Sequence, residues 1–99
     1  MRAVVWSNDA LRDFDQAIAH IAYEDFRNAT LVADRIEAAV GLLAETPIGH
    51  PGRVVGTYEK LALNTPYIIA YALSDQTLTI LRIIHSSRDW LANEWPKDG

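Results

Sequence analysis

Arg82, His85, Arg88 and Trp90 crowd the end of one apolar run, LTILRIIHSSRDW at 78–90. An imidazole can give or take a proton near neutral pH. Guanidiniums keep their charge and grip phosphates or carboxylates as a bidentate fork. Arg53, Tyr58, Glu59 and Lys60 form a second polar group upstream. Cutting RNA through its ribose hydroxyl needs a base, a proton donor for the leaving oxygen, and cations on the phosphate. Glu59 or His85 suits the base, His85 or Tyr58 the acid, and Arg82 or Arg53 the clamp. These residue types fit, but their spacing is not diagnostic. His85, Ser86, Ser87 and Asp89 hold the letters of a nucleophilic triad, yet such near neighbours rarely point at one another correctly. His20 and Glu24 lie four apart, a spacing that can hold a metal and is more often a surface pair. With no cysteine, no disulfide or thiolate site is possible, and no metal or cofactor is expected. Gly49, Gly52 and Gly56 do not make a phosphate loop, because the Lys-Ser/Thr ending is missing.

These groups need rigid carriers. Leu78, Ile80, Leu81, Ile83 and Ile84 predict a strand at 78–85 buried on both faces. Alternation places Arg82 with Leu78, Ile80 and Ile84, and His85 with Leu81 and Ile83. A charge in that run must find a carboxylate, carbonyls or water. AVVW at 3–6 predicts a first strand, and Ser7 a helix cap, with Trp6 and Leu11 spaced for a hydrophobic staple. Leu11, Phe14, Ile18 and Ile21 make one helical stripe over about 8–25. Val32, Ile36, Val40 and Leu43 make a second, with Asn28 as its expected cap and Pro47 ending it near Glu45. Strands are predicted at 58–63 and 67–73, with short turns on either side of the latter. A short helix is expected after Ser86. The order β-αα-βββ-α is an α+β architecture, an antiparallel sheet packed on an N-terminal helical hairpin. The last two strands offer more apolar surface than one helical layer covers. Trp90 and Trp95, or a partner, are expected over the second face.

At 99 residues the chain fits one domain, 1–99, with a core of modest size. Residues 1–52 carry four arginines against eight carboxylates, whereas 53–99 are balanced, five against five. The net charge of −4 is unlike a protein that binds nucleic acid by itself. The N-terminus has no long apolar region and no stretch approaches a membrane span, so a soluble cytoplasmic protein with no membrane partner is expected.

Several fragments, in order, resemble the RelE/ParE superfamily of bacterial type II toxin–antitoxin toxins. They are S-x-x-A-x-x-D (Ser7, Ala10, Asp13), the helical pair, Gly52-Arg53, GTYEKL, PYIIAY and ILRIIHSSRDW. The likeness runs from about Val5 to about Trp90, and PYIIAY with the closing strand is nearest to the ParE-like branch. Position 58 is tyrosine where that pattern tends to carry arginine. The resemblance implies a toxin that inhibits DNA gyrase by binding and is neutralised by a cognate antitoxin from a neighbouring gene. Arg53, Lys60, Arg82, His85, Arg88 and Trp90 are the expected target-binding residues. The alternatives are a ribosome-dependent mRNA endonuclease using Glu59, His85 and Arg82, whose partners are the ribosome and mRNA, and a non-toxic antitoxin-binding module.

Overall fold

A computed structural model describes residues 1–87 of the chain. The expected short helix and the positions of Arg88, Trp90 and Trp95 lie outside the described residues. Strand β1 (Ala3–Trp6) leads through Ser7 into helix α1 (Asn8–Glu24). The Ser7 hydroxyl accepts from the Ala10 N–H at 3.0 Å, so the cap forms as the sequence implies. Helix α2 (Phe26–Glu45) follows after one residue, Asp25. Asp25 is extended, gives its N–H to the Ile21 carbonyl at 2.8 Å, and caps α2 by accepting from the Asn28 N–H at 3.2 Å. Asn28 is therefore not the cap but a donor inside the first turn. A carboxylate three residues before a free amide is the nearer acceptor.

The remaining strands are β2 (His50–Pro51), β3 (Tyr58–Leu61), β4 (Tyr67–Leu73) and β5 (Thr77–His85). β2 lies among the prolines and glycines of 47–56, where the sequence predicts no strand. β3 is shorter than expected because a turn begins at Ala62. There the Thr65 N–H reaches the Ala62 carbonyl, and Asn64 takes a positive φ of 61°, which asparagine tolerates. The sheet order is β1-β5-β4-β3-β2. β2 to β5 are antiparallel neighbours in series, but β1 lies parallel to β5, pairing Ala3 with Thr77 and Trp6 with Ile80. The α+β architecture stands as expected, and the sheet is mixed rather than wholly antiparallel.

The β4–β5 ladder carries a bulge: Ala70 pairs with Arg82, and Tyr71 with Ile80, leaving Leu81 as the extra residue. This resets the alternation expected for β5. Ile83 joins Leu78 and Ile80 in the main core, while Ile84 packs with Ala70 and Ile68 on the other face. The main core lies between the hairpin and the sheet. Val32, Ile36, Val40 and Leu43 of α2 meet Ile69, Tyr71, Leu78 and Ile80, with Phe14, Ile18 and Ile21 of α1 along one side. Trp6 meets Phe14 edge-on at 5.5 Å.

Candidate functional site

β1 ends opposite Ile80, so the outer edge of β5 beyond that point needs other partners. The first turns of α1 supply them. The Ser7 N–H donates to the Ile80 carbonyl (2.9 Å), and the Ser7 hydroxyl donates to the Leu81 carbonyl (2.8 Å). The Ile83 N–H donates to Asp13 Oδ2 at 3.0 Å. Arg82 then closes on the same carboxylate, through Nε at 2.7 Å and Nη2 at 3.0 Å. Both side chains are largely buried, at 18% and 14% exposure. Ala10 is fully buried one turn before Asp13, on the same helix face. The Ser7–Ala10–Asp13 spacing is thus a device that completes the edge of β5 after its bulge and neutralises the strand's guanidinium.

A cleft of about 230 Å³ opens beside this pair, between α1 and the end of β5. Asp13, Gln16 and His20 line it from the helix, and Tyr67, Arg82 and His85 from the sheet. His85 stands edge-on to the Tyr67 ring at 5.3 Å. Its Nδ1 accepts from the Ser87 N–H at 3.2 Å and lies 2.7 Å from the Ser87 hydroxyl. A backbone N–H can only donate, so in the neutral ring the proton sits on Nε2. Burial raises the Tyr67 pKa, which keeps its hydroxyl a donor. A serine–imidazole contact is therefore present, but no carboxylate among the described residues orients the ring from behind, as a triad requires. His20 faces this cleft with His85. The described residues hold no cluster of three His, Cys, Asp or Glu side chains that could bind a metal.

Glu59 and Arg53 sit elsewhere. Glu59, 5% exposed on β3, accepts from the Arg53 N–H (2.8 Å), Nε (2.9 Å) and Nη2 (3.1 Å). Burial alone would raise the Glu59 pKa. The hydrogen bonds and charge of Arg53, helped by His50, outweigh it, and the carboxyl is lowered. The pair closes the 52–57 turn, where the Gly52 N–H also meets the Thr57 carbonyl at 2.8 Å. Tyr58 stacks on Tyr71 at 5.6 Å, and the Tyr71 hydroxyl accepts from the Gly49 N–H at 2.9 Å. Lys60 lines a different groove, between α2 and β3. Of the residues singled out in the sequence, Arg82 and His85 come together, Arg53 and Glu59 form their own clasp, and Lys60 stands apart from both. Arg88 and Trp90 lie outside the described residues. Gln16, His20 and Tyr67 were not read as part of the cleft. His20, four residues after Gln16 on one helix face, was the available signal.

Comparison with known proteins agrees with this geometry. Residues 4–90 match the family model of the ParE toxin of the type II toxin-antitoxin system, parDE. The putative toxin Y4kP of Sinorhizobium fredii is 38% identical over 90 residues, covering 90% of this chain and 93% of that protein. Toxin RelE2 of Caulobacter vibrioides is 34% identical over 89 residues, covering 89% and 99%. Among solved structures, a chromosomal ParDE toxin–antitoxin system from P. aeruginosa aligns with a TM-score of 0.78 at 21% identity, over 86% of this chain and 96% of that one. YafQ from E. coli aligns with a TM-score of 0.58 at 18% identity, over 88% and 96%. The structural likenesses carry the fold, and the sequence matches carry the kinship: the chain belongs to the ParE toxin family, within the RelE/ParE superfamily of type II toxin–antitoxin toxins.

Proposed function

We propose that this toxin acts by binding DNA gyrase rather than by chemical attack on a substrate, and that a cognate antitoxin from a neighbouring gene neutralises it. The observation that carries the binding mode is how the charged groups are engaged. A ribonuclease would need a base, but Glu59 is tied to Arg53 with a lowered pKa. A carboxylate so held is a poor general base at neutral pH. Gyrase as the target rests on kinship with ParE toxins, and the antitoxin on solved relatives that are ParDE, RelBE2 and DinJ-YafQ complexes. His85 and Arg82, with Arg88 and Trp90 next along the chain, are the proposed target-contacting residues. Arg53 and Lys60 fall outside that cleft. Purified toxin is expected to block gyrase supercoiling or trap cleaved DNA. No effect at large molar excess overturns the proposal.

One observation favours a second reading. His20, His85, Tyr67 and Arg82 share a cleft, which supplies acid, base and cation types for ribosome-dependent mRNA cleavage without Glu59. Mapping transcript ends after induction separates the two: codon-positioned cuts support cleavage, and growth arrest without cuts supports gyrase. Induction without growth arrest would leave the non-toxic antitoxin-binding module.

A further inference from the structure

The polar walls of the cleft between α1 and the end of β5 differ in how far their bonding capacity is used. Asp13 is the one carboxylate there, and it already accepts from Arg82 Nε, Arg82 Nη2 and the Ile83 N–H. Gln16 and His20, one turn apart on α1, make no side-chain hydrogen bond among the described residues. Tyr67 is the sharper case, because the residue is only 8% exposed. Its N–H and carbonyl are bonded, to the Thr65 hydroxyl and the Ala62 N–H. Its hydroxyl has no hydrogen-bond partner among the described residues. Buried polar groups are nearly always paired, so an unpaired hydroxyl beside an open cleft calls for a ligand atom. Burial also keeps that hydroxyl protonated. His85 adds a further donor, its Nε2–H, because the Ser87 N–H holds Nδ1.

We infer that this cleft takes one carboxylate side chain of the target protein, held by Gln16, His20, Tyr67 and His85. The inference rests on the gyrase-binding reading above and adds the chemical group recognised and the part α1 plays in recognising it. With donors unspent and the fixed acceptor, Asp13, already filled, the cleft suits a group that only accepts. Arg82 balances Asp13, so that carboxylate does not repel another. A phosphate is also an acceptor, but in nucleic acid it comes with a line of further charges. The wall formed by α1 carries Asp9, Asp13, Asp15 and Glu24 against Arg12 alone. Such a surface opposes a phosphodiester backbone far more than it opposes a single side chain.

The test uses the full chain. It has three histidines, and His50 lies on β2 outside the cleft, an internal control. Acetate, titrated at constant ionic strength, should shift the His20 and His85 imidazole resonances saturably and leave His50 unmoved. Gln16→Glu, which puts a carboxylate on the cleft wall, should abolish the response. A short DNA duplex should neither move these resonances nor displace acetate. In equilibrium binding to purified gyrase without DNA, Gln16→Glu should weaken association roughly tenfold or more, and Tyr67→Phe by several-fold. Glu24→Gln, exposed on the same helix outside the cleft, should leave it unchanged. Gln16 and His20 are exposed; circular dichroism melts check folding, and His20→Ala replaces any variant that fails. Gyrase binding that survives the cleft variants, or imidazoles that ignore acetate, overturns the inference and leaves the gyrase reading intact. Displacement of acetate by the duplex assigns the cleft to a nucleic-acid phosphate and also overturns it. An unaltered chain that answers acetate and ignores gyrase overturns the gyrase reading alone.

Discussion

Arg82 sits in an apolar strand, and the carboxylate that answers it lies 69 residues earlier, on α1. In the sequence alone Arg82 is a charge that must find a carboxylate, carbonyls or water. The bidentate geometry names the carboxylate. Removing the guanidinium leaves Asp13, 14% exposed, with only the Ile83 N–H among these bonds. Arg82→Met should therefore destabilise by about 1–3 kcal/mol in urea unfolding, less than a fully buried pair because both groups retain some water. Paired with Asp13→Asn, the two losses should fall short of additive. Glu59 gives a pH signature of its own. Its folded pKa lies below the ordinary 4.5, so its stabilisation is complete above that value and is lost as pH falls through the depressed one. Unfolding midpoints between about pH 3 and about pH 7 should fall on the acid side in the parent and fall less steeply in Glu59→Gln.

At the scale of elements, Ser7 joins three: it follows β1, caps α1 and donates to β5. Ser7→Ala removes the cap and one partner of the Leu81 carbonyl, an expected loss of about 1–2 kcal/mol by thermal or urea unfolding. Gly49→Ala should also destabilise, because a Cβ there would overlap the Tyr71 hydroxyl and come within 2.8 Å of the Glu59 carbonyl. Both helices were legible in the sequence, since a stripe every three or four residues reports a buried face without knowing its partner. The site was legible only in part. Arg82 announced its need for a carboxylate, but residue types alone do not say which one, because that depends on the register of α1 on β5. The direction of β1 was hidden because AVVW suits a parallel neighbour as well as an antiparallel one. The bulge at Leu81 was hidden because an extra residue in an apolar run changes no residue type, only the face each side chain takes.

For the whole molecule, the balance of surfaces is the point at issue. Helices and sheet cover one another over the main core, and Ala70 and Ile84 are buried on the second face with Ile68. Yet Leu42, Ile48, Leu61 and Leu63 stay exposed along one groove, and Tyr23 and Phe26 at the turn of the hairpin. A contiguous apolar patch on a domain this small favours a partner or self-association. The isolated chain should therefore sediment as a concentration-dependent mixture, and the co-expressed pair as one species. A partner that binds only the folded toxin also stabilises it by mass action, about 2.7 kcal/mol at a hundredfold excess over the dissociation constant. For a domain of this length that corresponds to a rise in melting temperature on the order of 10–20 °C. The shift should grow with antitoxin concentration. A melting temperature that ignores antitoxin concentration, in a chain monodisperse by itself, would mean that the exposed leucines serve no partner of this kind.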